Sequence, residues 1–301
     1  MGALRGWLGQ CWRDGRWTTG PRQARAGGRR GGSVGNPPGL RMGVSVAGAK
    51  PMSEKAGDRG QVKDFTPRRL SLAADEIHLW LAALDQPPKP LADLAATLAV
   101  DERERAARFR FPDHRDRFIA GRGLLRELLG AYLNRPATAL RFEQGPHGKP
   151  ALGGADAGAE WHFNLSHSGG WALYAVARRE VGVDLERLDR SVGHAAVIER
   201  VCTPREWAAF QALPAERFQP AFLTCWTRKE AIAKALGGGL ASGLRTLEVC
   251  CREDAPPDGR ASVRDGQGCE WSVLNLEPGS GWIGALAAMG ADWRWRGWRW
   301  T

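Results

Sequence analysis

Gly182-Val183-Asp184-Leu185-Glu186 decides the reading of this chain, together with Trp226-Thr227-Arg228-Lys229-Glu230-Ala231-Ile232-Ala233-Lys234 forty residues further on. The first segment reads as a strand, in which successive side chains point to opposite faces, so Asp184 and Glu186 share one side. The second has helical spacing and runs into Gly237 to Gly239; Glu230 and Lys234, four apart, share a face. Packed together, the segments would bring three carboxylates and one ammonium to a single point. Three anions in a small volume repel unless a cation sits among them, and hard oxygen ligands select Mg2+ or a similar ion. A lysine beside that ion suits a phosphate. The pattern points to phosphoryl chemistry.

Taken singly, each residue has a blander explanation. Acidic pairs on strands usually face solvent or pair with arginine, and Arg187 is at hand for Glu186. Glu230 and Lys234 could be an ordinary helix pair, contributing a few tenths of a kcal/mol. The small residues Ala231, Ala233 and Ala235 and the glycine run speak against that, because they allow backbone or ligand to approach closely. A lone histidine is more often structural. His167, however, follows Asn164 and Ser166 and precedes Ser168-Gly169-Gly170, a turn of hydroxyls, imidazole and free N–H groups suited to an anion. A hydrolase reading fails: adjacent residues on a turn do not place imidazole on serine oxygen, and neither Ser166 nor Ser168 stands in a Gly-x-Ser-x-Gly elbow.

Taken together, Gly182-Val-Asp-Leu-Glu186, Trp226-x-x-Lys-Glu-Ala-x-x-Lys-x-x-Gly-x-Gly-Leu240, Phe163-Asn-Leu-Ser-His-Ser168 and Gly148-Lys149-Pro150 resemble, in order and spacing, the Sfp-type 4′-phosphopantetheinyl transferases over roughly residues 75 to 290. The resemblance implies two similar subdomains related by pseudo-twofold symmetry, with the active site in the cleft between them. It assigns Asp184, Glu186 and Glu230 to Mg2+ and Lys234 to the phosphate or pantetheine side of coenzyme A. Glu230 would also help accept the proton of an incoming serine, directly or through a metal-bound water. Asn164, Ser166 and His167 would touch coenzyme A, with His167 near its 3′-phosphate. Lys149 would reach the nucleotide phosphates, and Arg105 falls where the family places a basic residue against the 3′-phosphate. Arg103, Arg117 and Arg122 are softer candidates, since an arginine-lined helix is normally a solvated face. Arginine suits phosphate by bidentate contact. The implied partners are coenzyme A and an acyl, peptidyl or polyketide carrier protein. Arg200 to Phe210 and the loop after Leu213 are candidate docking surfaces for the carrier.

The net charge of +10 resembles that of a nucleic-acid binder until it is located. Residues 1–70 hold 14 Lys+Arg and 4 Asp+Glu, whereas residues 71–301 hold 29 of each. The Arg/Gly-rich first seventy residues lack periodicity and enough aliphatic side chains to fold; a start at Met42 or Met52 would remove most of them. The balanced remainder is expected to bind no nucleic acid. No apolar run reaches membrane-spanning length, and six cysteines without C-x-x-C spacing fit a reduced, cytoplasmic setting. Cys225 reads as a small buried hydrophobe.

The chain reads as α+β, with subdomains at 71–180 and 181–301 sufficient as a monomer. Strands are expected near Ile77–Leu81, Leu140–Phe142, Trp161–Leu165, Trp171–Ala177, Val181–Leu185, Leu244–Cys251, Gly268–Asn275 and Trp282–Ala288. Helices are expected near Asp101–Arg110, Pro112–Leu133, Gly193–Val201 and Ala221–Leu236. Thr203-Pro204-Arg205-Glu206 combines an N-cap, a first-position proline and an acidic third position. The terminal Trp293-Arg-Trp-Arg-Gly-Trp-Arg-Trp300 is an edge strand or a frayed tail.

A nucleic-acid binder acting through the Arg/Gly tail and the Trp/Arg terminus, and a non-enzymatic coenzyme A or nucleotide sensor, are the competing classes. Deleting residues 1–70 separates the first from a transferase. The transferase keeps its activity, read as the mass of the modified carrier, whereas a tail-driven binder loses affinity and its salt dependence.

Overall fold

The computed structural model describes residues 70–145, 148–158, 160–190, 198, 201–237, 244–249, 260–265 and 267–300. Strand β1 (Glu76–Ala83) is followed by helices α1 (Leu91–Thr97), α2 (Val100–Ala107) and α3 (Pro112–Leu133). A hairpin of β2 (Arg141–Gln144) and β3 (Pro150–Gly153) leads to β4 (His162–Ser168), β5 (Trp171–Ala177) and β6 (Val181–Arg187). Then come α4 (Pro204–Gln211), α5 (Ala215–Leu236), β7 (Ala261–Arg264), β8 (Glu270–Leu276), β9 (Trp282–Met289) and β10 (Arg294–Trp300). Two four-stranded sheets result, ordered β10-β1-β5-β4 and β6-β9-β8-β7. Only β10 and β1 run parallel among these pairs.

Period-two alternation explains the layering. On β1, Trp80 and Ala82 face a core built with Leu124, Leu125, Leu128 and Leu129 of α3, while Ile77, Leu79 and Leu81 face the second sheet. On β5, Ala172, Tyr174 and Val176 take the first side and Leu173, Ala175 and Ala177 the second. The first sheet is therefore buried on both faces. Val181, Val183 and Leu185 of β6 complete the inter-sheet core, which leaves Gly182, Asp184 and Glu186 on the face covered by α5. Each fully buried leucine contributes about 1.5–3 kcal/mol, so this sandwich is the main source of stability.

The contact between β6 and α5 is unusually close. A Cβ on Gly182 would lie 2.1 Å from the Ala231 carbonyl oxygen and 2.4 Å from the Ala235 nitrogen. Glycine is required there, and alanines on the helix side are what let it approach. The helix ends at Gly237, whose φ of +63° is the left-handed conformation that closes a C-terminus at low cost.

Helix Pro112–Leu133 and strand Trp171–Ala177 have the bounds expected from periodicity, and Thr203 and Glu206 form the anticipated capping box. Other expectations need correction. Leu244–Cys251 is not a strand over its described part: Leu244–Thr246 is a 3-10 turn. The Leu244 and Leu247 carbonyls accept from Lys229 Nζ, and Val249 spends its N–H on Glu206 and its carbonyl on Arg228, so little remains for a ladder. The helix expected at Gly193–Val201 falls mostly outside the described residues, with Ile198 and Val201 helical. Helix α1 went unread because Pro90 offers no side-chain cap and seven residues give barely two turns.

The Trp/Arg terminus is an edge strand of the first sheet, so the boundary drawn at residue 180 is crossed by the last seven residues of the sheet. Trp298 stacks on Trp80 at 4.7 Å and Trp300 meets its edge at 6.2 Å, while Arg294 and Arg296 stay exposed.

Replacing Gly182 by alanine is expected to force β6 away from α5 and cost about 1–3 kcal/mol or more, read as a lower urea midpoint.

Candidate functional site

The three acids and the lysine do converge. Asp184 and Glu186 are buried on the α5 face of β6. Lys234 Nζ lies 2.7 Å from Asp184 Oδ1 and donates to Ser166 Oγ at 3.0 Å. Lys234 thus makes an ion pair with the strand, across elements, and its charge also acts on Glu230. Glu230 feels both other carboxylates: burial first, then Asp184 and Glu186, push it up to about 7 against the pull of Lys234 and Arg190. Glu186 is likewise raised, by burial and by Asp184. Asp184 Oδ2 and Glu230 Oε1 are buried and accept no hydrogen bond. Crowded carboxylates with orphaned buried oxygens attract a cation, so the donor set fits a hard divalent ion. The three carboxylates do not close to within 4.8 Å of one another, a spacing reached among the described residues only by Cys202, Glu206 and Cys225.

Strand β4 supports this centre by side chains. Asn164, Ser166 and Ser168 share one face. Asn164 Oδ1 accepts the Val183 N–H at 2.9 Å, Ser166 Oγ accepts the Leu185 N–H at 3.3 Å and donates to Asp184 Oδ1 at 2.9 Å, and Ser168 Oγ donates to Glu186 Oε2 at 3.1 Å. These rungs join the edges of two different sheets, where no backbone ladder runs. Asn164 and Ser166 are therefore tied to β6 in this state. His167 points to the other side and is exposed. Surrounding protein, with Lys234 and Arg117 adding like charge, lowers its pKa.

Lys149 is engaged within the protein. Its Nζ donates to Glu180 Oε2 at 2.7 Å and to the Ala235 carbonyl at 3.0 Å, near the end of α5. Burial works to raise Glu180, yet His162 and Lys149 hold it at about 2. Arg105, in the last turn of α2, lies over Phe118 at 5.6 Å; burial and the neighbouring Arg122 and Arg108 lower its pKa. Among the softer candidates, Arg103 donates to the Leu98 carbonyl and Arg117 pairs with Asp85 at 2.5 Å. Arg122 is 3.4 Å from Glu102 and keeps a buried Nη1 with no acceptor, so it is the better anion donor of the three.

Several residues were not foreseen. Arg187 pairs with Asp189, and Arg190 is the cation on Glu186. The contact of Ser168 with Glu186 and the role of Glu180 were also missed. Alternation along Phe163–Ser168 could have revealed Ser168, whereas nothing local marks Glu180 as the partner of Lys149. Lys229, inside the helical motif, is fully buried and pairs with Glu206 at 2.7 Å. It anchors α5 to α4 and to the 244–247 turn. No helix among the described residues is long and apolar enough to cross a membrane.

Comparison with known proteins points to one family. The model of the 4′-phosphopantetheinyl transferase superfamily matches residues 180–287, and that of the 4′-phosphopantetheinyl transferase N-terminal region matches residues 86–179. The chain is 41% identical over 233 residues to the 4′-phosphopantetheinyl transferase HetI of Nostoc sp. (strain PCC 7120 / SAG 25.82 / UTEX 2576), covering 77% of this chain and 95% of that protein. It is 32% identical over 176 residues to the 4′-phosphopantetheinyl transferase psf-1 of Bacillus pumilus, covering 58% and 72%. It is 30% identical over 158 residues to the L-aminoadipate-semialdehyde dehydrogenase-phosphopantetheinyl transferase of Homo sapiens, covering 49% and 51%.

The raised Glu230 has a consequence for stability without metal. Its folded value of about 7 exceeds the ordinary 4.5, so between these the folded state binds more protons than the unfolded chain. Stability must then fall as pH rises through that window, by at most about 3 kcal/mol. Glu230→Gln should flatten the slope. Urea midpoints in EDTA at about pH 5 and about pH 7.5, wild type minus variant, measure it.

Proposed function

The chain belongs to the 4′-phosphopantetheinyl transferase superfamily, and on that premise we propose that it transfers the 4′-phosphopantetheine arm of coenzyme A to a serine of an apo acyl, peptidyl or polyketide carrier protein. The serine oxygen bonds to the phosphorus that carries pantetheine. The bond from that phosphorus to the bridging oxygen breaks, and adenosine 3′,5′-bisphosphate leaves. The reaction would run in the cytoplasm on a monomer, in a cleft between two similar subdomains related by a pseudo-twofold axis. Two helices of 22 residues, each covering the outer face of a four-stranded sheet, support that picture.

The observation that carries the reading is the meeting of Asp184, Glu186 and Glu230 with Lys234, two buried carboxylate oxygens being left without donors. Asp184, Glu186 and Glu230 would hold Mg2+, which when bound neutralises the pyrophosphate and fixes it for in-line attack. Lys234 supplies positive charge where negative charge develops on the transferred group. A carboxyl poised near neutrality suits proton acceptance, and Glu230 is our candidate to take the serine proton. His167, flanked by Lys234 and Arg117, would lie by the 3′-phosphate, with Arg105 and the spare Nη1 of Arg122 as further donors. Lys149 would exchange Glu180 for a nucleotide phosphate, and Asn164 and Ser166 would line the cofactor side while bracing β6. The carrier, generally acidic, would dock near α4 and the turn after Leu213. A coenzyme A sensor needs neither the acid trio nor the lysine, and their retention favours the enzyme.

Asp184→Ala should lower transfer by on the order of 10²-fold or more with the fold intact, because it relieves repulsion on Glu230. The mass of apo carrier incubated with coenzyme A and Mg2+ reads the transfer, and a urea midpoint reads the fold. Full activity in the variant rejects the metal assignment. EDTA should abolish wild-type transfer and excess Mg2+ restore it.

A further inference from the structure

The site chemistry leaves two buried thiols unused. Cys225 lies on α5, one residue before Trp226 and five before Glu230, and Cys202 immediately precedes the Thr203 cap of α4. Both are buried and reduced, and their sulfurs lie within 4.8 Å of each other. Cys225 donates a hydrogen bond to Cys202, so the sulfurs face one another across the α4–α5 junction. Beside them, Lys229 Nζ is bound to Glu206 at 2.7 Å and to the Leu244 and Leu247 carbonyls.

Cys202, Glu206 and Cys225 also have the spacing of a metal triad. Their surroundings argue against that use. Glu206 accepts from Thr203 N, Val249 N and Lys229 Nζ, so its oxygens are saturated and the cation position is already held by an ammonium. A divalent ion would have to evict a fully buried lysine. Two facing thiols favour sulfur–sulfur chemistry, and the hydrogen bond from Cys225 draws Cys202 toward the thiolate that initiates it, while the pull of Lys229 is offset by its partner Glu206.

The geometry points to Cys202 and Cys225 as a peroxide-oxidisable dithiol whose disulfide staples the helix bearing Glu230 and Lys234 to the segment ahead of α4. One thiolate attacks a peroxide oxygen, breaking the O–O bond and giving a sulfenic acid and hydroxide. The second thiol displaces that oxygen as water and forms the S–S bond. Overall, two thiols and one hydrogen peroxide give one disulfide and two waters, the peroxide being the oxidant. The sulfurs must close to about 2.05 Å, which draws Cys225 and the adjoining turns of α5 toward Cys202. Displacement of a reacting group by an ångström costs on the order of 10²-fold in rate, so the oxidised form is expected to transfer about 10- to 100-fold more slowly until a dithiol reductant restores it. This kinetic consequence rests on the transferase reading; the disulfide does not.

The full chain treated with hydrogen peroxide, then alkylated and digested, tests the pair directly. The expected result is a Cys202–Cys225 linked peptide, lost on dithiothreitol treatment and absent from Cys202→Ser and from Cys225→Ser. Thiols at 202 and 225 that remain alkylatable only after unfolding, with any new linkage confined to the exposed Cys269 or the other cysteines, overturn the proposal. So does one equivalent of Zn2+ retained by wild type and lost from both serine variants. The wild-type digest decides even if a variant fails to fold. A linked peptide with unchanged transfer rate would keep the disulfide and overturn its coupling to the helix.

Discussion

The whole site depends on one backbone approach, that of β6 to α5 at Gly182. With no Cβ on the strand and alanines opposite, the two main chains come closer than side chains would otherwise allow. That contact fixes the face of β6 on which Asp184 and Glu186 stand and the height at which Glu230 and Lys234 meet them. Like charges are then held together by packing that the hydrophobic sandwich maintains, and the strain appears as a carboxyl displaced toward neutrality. The fold thus keeps an electrostatically uncomfortable cluster, which the divalent ion proposed above would relieve.

The second constraint is polar. Sheets usually join by backbone hydrogen bonds within a sheet or by apolar packing between sheets. Here Asn164, Ser166 and Ser168 replace a ladder with amide and hydroxyl groups, reaching Val183, Asp184, Leu185 and Glu186. A side-chain seam leaves more room than a backbone ladder and has polar atoms that can exchange partners. The same residues brace the acids, and under the proposed function Asn164 and Ser166 would also face the cofactor. Lys149 has the same double character, closing the end of α5 and neutralising Glu180 while holding a charge suited to phosphate.

Much of this was legible in the chain. Alternation placed Asp184 and Glu186 on one face, helical spacing gave Pro112–Leu133, and the Thr203 capping box announced α4. Motif order carried the recognition of the family, since no single string would have sufficed. What escaped notice was set by distance along the chain. The pairings Lys149–Glu180, Lys229–Glu206 and Cys202–Cys225 join elements whose proximity no local pattern records. The 244–249 segment has the composition of a strand, yet buried cations and carboxylates claim its carbonyls and an amide. Arg187 was the nearest cation to Glu186 in sequence, but neighbouring strand residues face opposite ways, and Arg190 takes that place instead.

The parallel strand β10 carries a consequence for how the chain may be cut. Its Trp298 and Trp300 complete the core of the half that begins the fold, while its arginines shield the outer rim from pairing with another molecule. Neither half, severed at residue 180, would be self-sufficient: the first would expose the flank of β1, and the second would trail an orphaned tryptophan-rich ribbon. A gene-splitting or circular-permutation experiment would therefore have to keep 294–300 in company with 76–83.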